Sequence, residues 1–168
     1  MVKTNCSDLE IDLNDLLMLF NNASDVNVEH IERQEQNKIT NDFKVIYNGQ
    51  EQSYSYFYTY EEHISPLHKK SLRKRMVKNQ LYSILSKLLN QTLPWGSLTG
   101  IRPTKLARDL IDYGEMKDYL VAEILEREYF VSSKKAELVA SIMRNQKCII
   151  RNDNLIDLYI NIPICLTR

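Results

Sequence analysis

Glycines, prolines and cations crowd into one short stretch of this chain. Residues 94–106 read PWGSLTGIRPTKL and hold two of the four glycines, two of the four prolines and the single tryptophan. Gly96 and Gly100 let the backbone turn tightly, and Pro103 suits the first position of a helix. A helix starting there turns free N–H groups toward an anion, with Arg102, Lys105 and Arg108 supplying full charges beside them. The chemistry on offer is anion recognition. The same residues also allow a plainer arrangement, in which the loop turns the chain between two helices and docks Trp95 as an apolar plug. The bases are then solvated, or paired with Asp109 and Asp112.

Two further groups of residues could do chemistry. The formal net charge of zero conceals a segregation: residues 1–62 carry 4 Lys/Arg against 12 Asp/Glu, residues 63–108 carry 10 against none, and residues 109–168 carry 8 against 10. An acid-free stretch of this length projects a positive potential toward an anionic partner or toward the acidic first third. Its bases Lys69, Lys70, Arg73, Lys74, Arg75 and Lys78 fit a solvated helix face, pairing with that first third, or contact with nucleic-acid phosphates. Tyr54, Tyr56, Tyr58 and Tyr60 alternate along one strand; such a stripe covers a sheet face beneath a helix, or stacks bases.

The sulfur chemistry is sparse. Cys6, Cys148 and Cys165 form no even, closely spaced framework, which argues against a disulfide scaffold and agrees with a reducing compartment. Cys6 and Cys148 read as structural. Cys165 follows the buried run LIDLYINIPICLTR, residues 155–168, and a free cysteine at a strand end is ordinarily a small apolar side chain.

These residues must be positioned by elements that the patterning predicts. A strand opens the chain, followed by a helix in which Asp12 or Asn14 caps the apolar group Leu13, Leu16, Leu17, Leu19 and Phe20. Val26, Val28 and Ile31 indicate another strand, and Asn48-Gly49 centres a hairpin over residues 41–60 through a type I′ turn. Pro66 begins a long helix whose apolar side takes Leu67, Leu72, Met76, Val77, Leu81, Ile84, Leu85, Leu88 and Leu89. A helix from Pro103 uses Leu106, Ala107, Leu110 and Ile111 and stops at Gly114. Two more helices cover 115–128 and 133–147, the second led in by Ser132 or Ser133, and a buried strand ends at Pro163. The fold class is α+β: a small antiparallel sheet with a hairpin (residues 1–62), then a helical segment (63–154) containing the Gly/Pro loop 92–103, then a strand opening something further (155–168).

Composition sets the outer bounds. With 168 residues, 43% hydrophobic and 26% charged, the chain has material for a core and lacks the bias of disordered or fibrous sequences. No apolar run approaches the roughly 20 residues that span a bilayer, and the N-terminus has no apolar signal segment. The expected location is the cytoplasm, with no membrane partner.

The tail resembles the first barrel strand and cluster loop of radical S-adenosylmethionine enzymes, specifically the oxygen-independent coproporphyrinogen oxidase family. Its pattern Tyr-x-x-Ile-Pro-Phe-Cys-x-x-x-Cys-x-x-Cys is matched here by Tyr159, Ile162, Pro163 and Cys165. The loop PWGSLTGIRPTKL is similar to the N-terminal region of the HemZ-type branch. Ile164, Leu166 and Asn161 depart from the family's usual residues. The resemblance implies that Cys165 is the first of three thiolate ligands of a [4Fe-4S] cluster whose open iron chelates S-adenosylmethionine, and that the next residue is cysteine. Tyr159, Arg102 and Lys105 become candidates for cofactor or substrate binding. The implied reaction uses a 5′-deoxyadenosyl radical to take a hydrogen from a porphyrinogen propionate, which then loses carbon dioxide to become vinyl. The chain is then the N-terminal portion of a longer enzyme of haem biosynthesis, carrying the start of a truncated (β/α) barrel and inert by itself. The missing barrel and the porphyrinogen are its implied partners. The rival class is an RNA-binding module, freestanding or attached to a radical enzyme that modifies RNA, supported by the acid-free segment and by three short helices near 103–147.

Overall fold

The computed structural model describes residues 1–60, 65–99, 102–114 and 120–147. Its elements run β1 (Val2–Thr4), α1 (Ser7–Leu17), β2 (Val26–Glu35), β3 (Lys38–Tyr47), β4 (Gln50–Thr59), α2 (Pro66–Leu88), α3 (Pro103–Gly114), α4 (Val121–Tyr129) and α5 (Ser133–Lys147). The four strands lie side by side in sequence order. Asn48 (φ 50°) and Gly49 (φ 74°) both adopt the left-handed backbone that a two-residue hairpin needs, and Tyr47 sits opposite Gln50 across the turn.

Two expectations are corrected. The sheet is mixed and not antiparallel throughout, because β1 runs parallel to β2 with Val2 opposite Val28. A parallel pair needs a crossover, and α1 supplies it. That helix also begins at Ser7, ahead of the residues expected to cap it, and Cys6 at its N-cap position makes no side-chain cap. Asn14 lies inside the helix and serves the strand instead: its Oδ1 accepts from Val2 N at 2.9 Å, and its Nδ2 donates to Val2 O at 3.2 Å.

One apolar cluster joins the sheet to its helices. Leu9, Leu13 and Leu16 of α1 meet Val26, Val28, Phe43 and Val45 of the sheet and Val77, Leu81 and Leu85 of α2. The alternation of β4 sends its tyrosines to this side: Tyr54 and Tyr56 pack against the cluster and Tyr58 is buried, while Phe57 between them is 71% exposed. The stripe therefore covers the helix-facing side of the sheet. Within the same layer, a buried polar chain crosses four elements. Thr4 Oγ1 pairs with His30 Nδ1 at 2.8 Å, His30 Nε2 with Asn41 Oδ1 at 3.0 Å, and Asn41 Nδ2 donates to Gln80 Oε1 at 2.9 Å. Each buried polar atom in that chain is thereby satisfied, which removes the desolvation cost it would otherwise carry.

A second apolar cluster holds the remaining helices. Leu106 and Ala107 of α3, Ile124 and Leu125 of α4, and Ala136, Val139 and Met143 of α5 form it with Leu98 and Val131. Trp95 packs half-buried against this cluster, under the Lys135 ammonium 5.1 Å from its ring. The loop thus plugs an apolar gap, as its plainer reading expects.

Gly96 shows why the loop needs glycine. Its φ is +56°, and a Cβ there would lie 2.0 Å from the Tyr129 carbonyl oxygen. That close approach lets Ser97 N donate to the same carbonyl at 3.0 Å. Ser132 donates to Pro94 O through both its N–H and its Oγ, at 3.1 and 3.0 Å. From the other side α2 holds the loop and α4: Asn79 receives a hydrogen bond from Ser97 Oγ and donates to Glu128 O, and Tyr82 stacks on Phe130 with centroids 5.2 Å apart. Gly100, Cys148 and the expected strand with Tyr159 and Cys165 lie outside the described residues.

Candidate functional site: a basic cleft between two helices

The long helix α2 starts where Ser65 Oγ accepts from His68 N at 3.3 Å, with Pro66 at the first helical position. Its first turn extends past the core, so Leu67 is exposed despite its place in the apolar pattern. The cations Lys69 to Lys78 follow over about three turns, and their surroundings differ. Arg73 is held by Asp8 and Glu32: its Nε donates to both Glu32 carboxylate oxygens at 2.8 and 2.9 Å, and its Nη1 donates to Asp8 at 2.8 Å. Burial opposes the Arg73 charge, but Glu32 and Asp8 outweigh it and raise its pKa. Lys74 pairs with Asp12 at 2.7 Å. The acidic first third therefore neutralises this part of α2 internally.

Lys78 goes deeper. Its side chain is 4% exposed, its Nζ donates to Thr99 O at 2.8 Å, and Asp12 stands 4.0 Å away. Burial pulls its pKa down, with Asp12 acting against that and Lys74 adding to it. The contact ties α2 to the far end of the Gly/Pro loop.

Beside Lys78 opens a cleft of about 380 Å³, lined by Asp12 of α1, by Ser71, Lys74, Arg75 and Lys78 of α2, by Thr99, and by Arg102, Lys105, Leu106 and Asp109 at the start of α3. Five cations thus face two carboxylates. Arg75 is steadied by its Nη2 donating to Ser71 Oγ at 3.0 Å, and its charge acts against the burial that raises the Tyr129 pKa. Arg102 and Lys105 are exposed, and among the described residues no carboxylate lies within 4 Å of either.

Of the residues expected to bind substrate, the structure brings Arg102 and Lys105 to this cleft together. Arg108 is not part of the lining and donates to Gln146 Oε1 at 3.1 Å. The helix terminus contributes less than the sequence suggests. Pro103 has no N–H, and the Arg102 carbonyl accepts from both Lys105 N and Leu106 N, so side-chain charge supplies the attraction. Asp109 lines the cleft without pairing to either base. Sequence reasoning missed that Lys74, Arg75 and Lys78 complete the site with Asp12; the acid-free run was its only trace, since the juxtaposition is tertiary.

Among the described residues no three His, Cys, Asp or Glu side chains gather as a metal site. No described helix is long and apolar enough to cross a membrane.

Over 102 residues the chain is 33% identical to the oxygen-independent coproporphyrinogen-III oxidase-like protein HemZ of Bacillus subtilis (strain 168). The match takes in 56% of this chain and 20% of the relative, so the chain spans about a fifth of the length of the curated relative it matches. No protein-family model matches the chain, and no solved structure does. The likeness is a HemZ-like relationship.

Proposed function

We propose that this chain is the N-terminal portion of a longer radical S-adenosylmethionine enzyme that oxidatively decarboxylates the propionates of a coproporphyrinogen or a closely similar substrate. The observation that carries the reading is the 33% identity to HemZ, joined to Tyr159, Ile162, Pro163 and Cys165 in the spacing of the cluster loop. On this reading Cys165 is a thiolate ligand, completed by two cysteines past Arg168, and Tyr159 lies beside the cofactor. When bound, the cluster and S-adenosylmethionine supply the one-electron chemistry that removes a substrate hydrogen. The described domain covers the mouth of the barrel, excludes water there and helps shape the substrate site. Without the remaining ligands the chain alone turns over nothing.

The RNA-binding alternative finds less support in the geometry. Arg73, Lys74 and Lys78 are engaged internally, and the tyrosine stripe faces the helices. A chain extended past Arg168 and reconstituted with iron and sulfide without oxygen tests the enzyme reading. It should turn brown, show the electron paramagnetic resonance signal of a reduced [4Fe-4S] cluster and release 5′-deoxyadenosine, and Cys165→Ala should lose all three. A colourless protein that leaves S-adenosylmethionine intact refutes the proposal.

A further inference from the structure

We propose that the cleft between α2 and the start of α3 is a binding site for an organic carboxylate, gripped by Arg75, Arg102 and Lys105 and held in shape by Lys78. Like charges brought to one cavity repel one another, and the repulsion costs stability unless an anion joins them. Elsewhere on α2 the fold removes that cost with carboxylates, Glu32 and Asp8 on Arg73, and at one side of the cleft Asp12 does so for Lys74. Among the described residues Arg75, Arg102 and Lys105 receive no such partner, although Asp109 is in the lining.

The site is built and not a chance crowding of surface bases. Lys78 is almost wholly buried, and its bond to the Thr99 carbonyl sets the spacing between α2 and the segment that delivers Arg102. Gly96 fixes the same loop against the Tyr129 carbonyl, and Ser71 steadies Arg75. These contacts position cations on both sides of the cleft before any ligand arrives, which lowers the ordering cost of binding.

The lining also selects the ligand's class. Guanidinium groups match carboxylate and phosphate oxygens alike in bidentate pairs, so the acids of the lining decide between them. Asp12 and Asp109 penalise a densely charged polyphosphate, and the methylene stems of the lining lysines and arginines offer apolar surface for an organic body. At about 380 Å³ the cleft sits at the small end of ligand sites, enough for one carboxylate-bearing arm and part of its scaffold. Which carboxylate enters rests on the reading under the previous heading; the site itself does not.

Titration of the 168-residue chain with coproporphyrin III, the air-stable tetracarboxylate, followed by porphyrin fluorescence, tests the site. Binding is expected, with the tetramethyl ester failing to bind. R102Q/K105Q should weaken binding about tenfold or more, while Arg108→Gln, which removes one charge outside the cleft, leaves it unchanged. Both variants alter exposed residues, and circular dichroism verifies that they fold. The proposal is overturned if the ester binds as well as the acid, if R102Q/K105Q binds like the native chain, or if inorganic phosphate or a single-stranded RNA dodecamer displaces the porphyrin at lower concentration than a competing carboxylate does. The two proposals fail separately. An extended chain that builds a cluster while this cleft binds no carboxylate sinks only the site, and a cleft that binds on a chain building no cluster sinks only the reaction.

Discussion

Arg73 and Arg102 are the same residue type within the same acid-free segment, yet the fold treats them oppositely. Arg73 lies over the acidic first third and is clamped by Glu32 and Asp8. Arg102 opens a helix at the rim of a cleft where no described carboxylate reaches it. The contrast teaches that a run of bases has no single role. Cations whose partners are provided within the chain hold the structure together, and those left unpaired beside a preformed cavity are available to a ligand.

The most drastic way to break this comparison is to remove what joins its two regions. Gly96→Ala forces a Cβ into the Tyr129 carbonyl at a left-handed backbone position, and urea denaturation should show a loss of about 3 to 4 kcal/mol. The next largest effect sits on the paired side. Arg73→Ala leaves Glu32 half-buried without its partner, and it should cost about 2 kcal/mol in the same measurement.

Acid provides a milder test of the paired side. Burial lowers the His30 pKa from 6.5 against the opposing hydrogen bond to Asn41, so the folded state favours the neutral ring. Its contribution is fully present above the unfolded value of 6.5 and is lost as pH falls below it. Stability should fall by up to about 1.4 kcal/mol per pH unit through this group, read as a declining urea midpoint from neutral pH downward. The smallest effect belongs to the unpaired side: R102A/K105A should change stability by no more than about 0.5 kcal/mol. A loss as large as that of Arg73→Ala would erase the distinction.

Local chemistry explains what was legible in the sequence. Asn48-Gly49 announced the hairpin because a two-residue turn demands positive φ, and Pro66 and Pro103 marked helix starts because proline is tolerated there. The loop at Trp95 and Gly96 was likewise visible as a turn with an apolar plug. Contacts between distant residues left little local trace. Cys6 is no capping residue, so the start of α1 was misplaced, and the parallel pairing of β1 depends on a partner more than twenty residues away. The chain Thr4–His30–Asn41–Gln80 reads as scattered polar residues until the sheet assembles. At the site, Arg102 and Lys105 were readable from their neighbours, whereas the contribution of Lys74, Arg75, Lys78 and Asp12 required α2 to be laid against α3.

The division between structural and ligand-directed cations is tested most directly by measuring urea unfolding with and without coproporphyrin III, in the native chain and in R102Q/K105Q. A ligand that binds only the folded state adds about 2.7 kcal/mol at a hundred times its Kd. At that concentration a variant that binds tenfold more weakly gains about 1.4 kcal/mol, so the native midpoint should rise about twice as far with coproporphyrin as the variant's. Equal rises in both proteins would contradict the assignment.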